Sequence, residues 1–190
     1  MTGPGRDHRP GHHVARILGD TEIKRLHRHW RQQTSGRLAL LLDSVQTPFN
    51  VGAIVRLAAA ERAEHLYLAG ATPTPDHAKS NKTSLGTQRY LPWSAYHASA
   101  EALAAARGDG YFLLGLELAE GSLPLHVVGL PADVCIVLGH EDRGLAPATL
   151  GHCDAVAFIP QLGRVGSLNV AHAAAIAVYE VRRREWTASP

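Results

Sequence analysis

Five short apolar runs, RLALLLDSV, HLYLAG, YFLLGLEL, VCIVLGH and AVAFIPQ, constrain this chain more than any other feature. Each is too short for a core helix and too continuously apolar for a strand with one wet face. Between them lie stretches with helical character, among them Val51 to Ala60 and Leu168 to Arg184. Strands apolar on both faces, separated by helices, predict an α/β fold with a parallel sheet covered on both sides. Ligands of such sheets gather at the carboxyl ends of the strands. The residues just after each run are therefore where chemistry is expected.

The 190 residues, 45% of them hydrophobic, suffice for one domain with short appendages. No apolar run approaches the roughly 18 residues of a bilayer span, and Met1 to His13 is rich in Gly, Pro and His without an apolar signal core. A cytoplasmic protein is expected. Cys135 and Cys153 stand in or beside apolar runs and read as small core residues, not as a disulfide framework or a metal site.

The formal charge of +2 is unevenly spread. Residues 1 to 37 hold eight Lys/Arg against three acids, and the rest holds eleven against fourteen. Residues 1–36 are expected to form a flexible basic tail and one helix, ahead of a domain over 37–190 that ends in a short basic extension. In DTEIKRLHRHWRQQ, Asp20 is the expected N-cap, and Ile23, Leu26 and Trp30 share a stripe on a basic amphipathic helix. Arg25, Arg28 and Arg31 on that helix, with Arg182, Arg183 and Arg184 at the far end, are candidate contacts to a polyanion, because clustered cations neutralise phosphates and release counterions. A solvated helix without a partner would carry the same charges.

Three strand ends carry unusual residues. In DSVQTPFNVGAIVRLAAA, Asn50 and Gly52 suit a helix N-cap and a tight turn, whereas Arg56 in an apolar helix requires an anionic or hydrogen-bonding partner. In VLGHEDRGLAP, Gly139 ends a strand and Glu141 follows in the loop before Gly144. In IPQLGRVGSLNVAHAAAIAVYE, Gly163 and Gly166 suggest close backbone approach, and Ser167 and Asn169 offer a hydroxyl and an amide at a helix start. Arg56 apart, each segment alone has a plain structural explanation as a cap or a turn. The commoner fingerprints are missing: no G-x-G-x-x-G follows the first strand, no phosphate-loop G-x-x-x-x-G-K-[ST] occurs, and no G-x-S-x-G elbow is present. A nicotinamide-dependent enzyme, an NTPase and a serine hydrolase thus lose their main support.

Together the segments resemble the SpoU, or TrmH-like, family of RNA 2'-O-ribose methyltransferases of the SPOUT superfamily. The family pattern N-x-G-x-x-x-R is matched by Asn50, Gly52 and Arg56, and L-G-x-E-x-x-G-L by Leu138, Gly139, Glu141, Gly144 and Leu145. The pattern I-P-x-x-G-x-x-x-S-L-N-V is matched by Ile159, Pro160, Gly163, Ser167, Leu168, Asn169 and Val170, and KTSLGTQRY is similar to the family's K-x-S-x-G segment. The resemblance covers about Arg37 to Tyr179; Gln161 and Ala171 depart from the common Met and Ser.

The resemblance implies a Rossmann-like parallel sheet with a C-terminal trefoil knot, a rare exception to unknotted topology. It implies S-adenosylmethionine as cofactor, held by backbone groups at Gly139, Ile159 and Leu168 and by Ser167, with no metal. It implies a homodimer packed through the knot region, where Ala171, Ala173, Ala174, Ala175 and Ala177 permit close approach. Arg56 is the residue that the family invokes for the 2'-hydroxyl, sometimes as a base assisted by an RNA phosphate. A guanidinium pKa above about 12 favours a phosphate clamp and oxyanion stabiliser instead. Asn50 and Asn169 would orient Arg56 and the ribose, Ser167 would bond near the substrate, and Glu141 would shape its loop. Because about 36 residues precede the first strand, too few for a separate RNA-binding domain, tRNA is the expected substrate, with guanosine 18 first. The wobble ribose, rRNA, and an RNA-binding member without catalysis are the alternatives.

Overall fold

The computed structural model describes residues 15–188; the tail expected to be disordered, Met1 to His13, lies outside them. The chain divides into two units, Met1–Gln33 and Thr34–Pro190. In the described part of the first, α1 spans Asp20–Gln32. Its N-cap is Gly19, not Asp20 as the sequence suggests. The reason is Glu22, whose carboxylate reaches back to the Gly19 N–H at 3.0 Å and forms that half of a capping box, placing Asp20 inside the first turn. Arg16 pairs with the same carboxylate. No residue of α1 is buried, and Arg25, Arg28 and Arg31 are exposed.

The second unit contains a seven-stranded sheet in the order β3-β2-β1-β6-β4-β7-β5, parallel throughout. The five apolar runs supply β1 (Leu38–Asp43), β2 (His65–Ala69), β4 (Phe112–Leu116), β6 (Val134–Leu138) and β7 (Ala155–Phe158). At the centre, β1 and β6 are buried at every residue, so both faces are covered by helices. The two edge strands, β3 (Trp93–Tyr96) and β5 (Leu123–Pro124), have no apolar run to announce them because an edge strand is only partly covered.

One apolar layer packs the sheet against α2 (Pro48–Ala60) and α6 (Val170–Ala188), through Ile54, Val55, Ala58, Ala174, Ala177 and Val178. The other packs it against α4 (Ser99–Gly108) through Ala102, Leu103 and Ala106. A short helix, α3 (Ala78–Ser84), and a 3₁₀ turn (Thr87–Tyr90) both lie against α2. Gly52 makes that approach possible: a Cβ there would collide with the Ser80 carbonyl oxygen and stand 2.8 Å from the Thr83 Cβ. The fifth helix, α5, is a single turn at Pro147–Leu150.

The arginines of α6 correct the sequence reading. Arg182 is 3% exposed, and its guanidinium donates to the carbonyls of Gly36 (2.8 Å), Glu61 (2.8 Å) and Arg62 (3.3 Å). Arg184 donates to Glu180 at 2.9 Å and to the carbonyls of Val128 and Leu125. Arg183 is held by Glu180 at 2.8 and 2.9 Å. Carbonyls at loop ends need donors once buried, and the five N–H groups of a guanidinium supply several at once. Arg182 and Arg184 therefore tie the fold together, and Arg183, the most exposed of the three, is engaged by Glu180 within its own helix.

Candidate functional site

Three strand ends meet where the parallel-sheet rule places them. After β6, Gly139 leads into a turn in which His140 and Gly144 exchange backbone hydrogen bonds at 3.2 and 2.9 Å. The turn is tight enough that a Cβ on Gly139 would stand 2.5 Å from the Gly144 carbonyl oxygen. Gly144 adopts φ +64° and lies over the Glu117 carboxylate, which any side chain at 144 would strike. Glu117 accepts from the N–H of Leu145 at 2.8 Å and of Leu118 at 3.1 Å, so the end of β4 holds the loop after β6.

Within that loop Glu141 is a hub. Its carboxylate accepts from the N–H groups of Gln46 (3.0 Å) and Thr47 (2.9 Å), and from Asn50 Nδ2 at 3.0 Å. Partial burial pushes its pKa up, but these three donors outweigh that and hold it at about 2. Because Asn50 gives its N–H₂ to Glu141, its Oδ1 is left to accept from Asn169 Nδ2 at 3.0 Å. Asn169 in turn caps α6, its Oδ1 accepting from the N–H of Ala171 (3.0 Å) and His172 (3.3 Å). Glu141, Asn50 and Asn169, one from each motif, thus form a continuous chain of hydrogen bonds.

Beside this chain opens a cleft of about 500 Å³, within the range of small-molecule sites. Leu116, Leu138, Ile159 and Leu168 supply apolar wall; Gly139, Glu117, Glu141 and Ser167 supply backbone and polar groups. All four residues expected to hold a cofactor, Gly139, Ile159, Leu168 and Ser167, line it. Apolar walls suit a purine ring, and Glu117, Glu141, Asp142 and Arg143 give the lining charges of both signs, with the acids in excess.

Two expectations are not met within this chain. Arg56 does not line the cleft; it is exposed on α2 and has no hydrogen bond or ion pair among the described residues. Gly163 and Gly166 are exposed, and a Cβ on either would meet nothing within 4 Å, so the close approaches occur at Gly139 and Gly52 instead. Sequence reasoning also missed Glu117 and Asp43. Asp43, 7% exposed at the end of β1, accepts from Ser99 Oγ and Thr149 Oγ1, both at 2.7 Å. An acid directly at the end of an apolar run is the signal that could have found both, whereas Glu141 is marked by the glycine-bounded loop after its strand.

The family model described as "SpoU rRNA Methylase family" matches residues 37–179. The chain belongs to this SpoU family. Among its relatives, the 23S rRNA (guanosine-2'-O-)-methyltransferase RlmB of Xanthomonas axonopodis pv. citri is 34% identical over 172 residues, 90% of this chain and 67% of that protein. The solved AdoMet-bound rRNA methyltransferase from Sinorhizobium meliloti superposes with a TM-score of 0.74 at 29% identity, covering 82% of this chain and 60% of that one. A structure described by 2-OH methylation of C/U34 on tRNA superposes at TM-score 0.70 and 27% identity, covering 80% of this chain and 98% of that one. The chain thus spans two thirds or less of the length of these two rRNA relatives. The SpoU model ends within α6, and Arg182, Arg183 and Arg184 lie beyond its match.

Proposed function

We propose that this SpoU member is an S-adenosylmethionine-dependent RNA 2'-O-ribose methyltransferase. The observation that carries the reading is the Glu141–Asn50–Asn169 chain beside a cleft lined by all four expected cofactor contacts. When bound, S-adenosylmethionine would supply its sulfonium methyl to the ribose 2'-oxygen and leave as the neutral thioether, with the hydroxyl proton passing to solvent. Leu116, Leu138 and Ile159 give the cleft an apolar wall, and a dry surface beside the bound methyl would favour a step in which charge declines. Glu117 and Glu141 keep the two sides of the β6 loop in place through backbone N–H groups. Glu141 stays ionised and acts as an orienting acceptor, not as a proton carrier near neutrality.

Arg56, unpaired among the described residues, is left to meet an anion from outside: an RNA phosphate and the developing 2'-oxyanion. Ser167, exposed at the rim, bonds near the ribose. The loop and helix around the site also carry exposed apolar side chains, Leu162, Val165, Ile176 and Tyr179, which supports a homodimer through this region; membership of the SpoU family is what supports a trefoil knot. The basic residues Arg25, Arg28 and Arg31 of α1 serve RNA binding.

For the RNA, the RlmB relatives favour a guanosine ribose of large-subunit rRNA. A tRNA ribose is the second reading, supported by the C/U34 structure, which matches over nearly its whole length. Transfer of labelled methyl to total rRNA and total tRNA, with nuclease mapping of the product, tests both. A 2'-O-methyl nucleoside in one pool is the expected result; base methylation, or no transfer by protein that binds S-adenosylmethionine, would refute the activity.

A further inference from the structure

With Arg182 and Arg184 committed to the fold, the domain's RNA contacts must be found elsewhere, and the K-x-S-x-G segment provides a surface for them. Residues 77–90 contain Lys79, Lys82 and Arg89 and no acid. Lys79, Lys82 and Arg89 are exposed and make no ion pair among the described residues. Tyr90 is 65% exposed, and the Arg89 guanidinium lies over one side of its ring, 4.6 Å from the centroid. Just before it, Leu85 takes a left-handed φ of 53° with its side chain 65% exposed, a conformation unfavourable for a branched residue.

The location matters as much as the composition. α3 and the 3₁₀ turn are docked on α2 through the Gly52–Ser80 approach. Arg56 stands four residues after Gly52, one turn on along the same helical stripe. The amino-terminal turn of that helix carries Asn50 into the hydrogen-bond chain beside the cleft. One rigid helix therefore links the cleft, Arg56 and the 77–90 surface.

We propose that residues 77–90 form a single-strand RNA platform beside Arg56: Tyr90 stacks on a base through its open ring face, while Arg89, Lys82 and Lys79 hold flanking phosphates. Cations combined with an aromatic face are what single-stranded nucleic acid requires, since every base offers a π-face and every linkage a charge. The inference rests on the RNA-methyltransferase reading and names a part of its substrate site.

The test uses the full chain and a short fluorescein-labelled oligoadenylate, with affinity read by anisotropy across a salt series. Tyr90→Ala is expected to weaken binding by about 5- to 100-fold with its salt slope unchanged, and Tyr90→Phe to bind within about twofold of the parent. Lys79→Gln and Lys82→Gln are each expected to lower the log–log salt slope by about 0.7. S-adenosylmethionine titrations should be the same for all variants. Parent and variants binding RNA equally well would overturn this proposal alone. No RNA binding or methyl transfer by the parent would overturn the RNA reading and the platform with it. A change of oligomeric state in Tyr90→Ala, with RNA affinity intact, would make the patch a contact between copies and overturn the proposal.

Discussion

Asn169 Nδ2 donates to Asn50 Oδ1 at 3.0 Å, joining positions 119 apart in sequence. The orientation is forced from both ends: Glu141 only accepts, so Asn50 must turn its N–H₂ that way, and Asn169 needs its own oxygen to cap α6. Asn169→Asp keeps the cap and removes the donor, whereas Asn169→Ala removes both. Chemical denaturation should show Asn169→Ala less stable by about 1 kcal/mol, with Asn169→Asp closer to the parent. Methyl transfer should fall in both; a fully active Asn169→Asp would show that the bridge has no part in turnover.

Glu141 links stability to acidity. Its pKa lies at about 2 in the fold against an ordinary 4.5, so its contribution is complete above the ordinary value and disappears as pH falls through the folded one. Asp133, Asp154 and Glu180 are lowered as well, so the parent alone cannot isolate Glu141. The difference between parent and Glu141→Gln can: urea midpoints should converge between about pH 4.5 and 2. A gap that stays constant across that range would mean that Glu141 is not held as an ion.

Arg182 distinguishes a structural arginine from an RNA contact. Arg182→Ala strips donors from three carbonyls at a 3%-exposed position and should cost about 2–4 kcal/mol in urea unfolding. RNA affinity per folded molecule should not change. Loss of affinity without loss of stability would restore the basic-extension reading.

Arg56 should separate binding from chemistry. Arg56→Ala is expected to lower kcat by about 10²- to 10³-fold with calorimetric S-adenosylmethionine binding intact, because the side chain does not line the cleft. Equal turnover in the variant would remove Arg56 from the mechanism.

Gly139 tests the cleft wall. Gly139→Ala would set its methyl against the Gly144 backbone and displace the turn that shapes the cleft. S-adenosylmethionine titration should show lost or greatly weakened binding, whereas Gly163→Ala, which meets nothing within 4 Å in this chain, should bind normally.

The central strands were legible because burial on both faces leaves no room for polar residues, and the same rule conceals β3 and β5 at the edges. Asn50, Glu141 and Asn169 could be recognised as a set, but their order in the hydrogen-bond chain depends on which amide atom faces which partner, and spacing does not encode that. The arginines at 182 to 184 illustrate the opposite limit. A run of cations reads as surface charge, and only the positions of carbonyls from the chain around Gly36, Glu61 and Val128 show that two of them point inward.

That inward turn has a consequence for how the protein is made. The Gly36 and Glu61 carbonyls are synthesised 146 and 121 residues before the guanidinium that satisfies them. Until those residues have been added, the carbonyls at the start of β1 and the end of α2 lack their Arg182 donor. Satisfying these two carbonyls therefore waits on α6, and a chain cut before residue 182 would leave both without this donor.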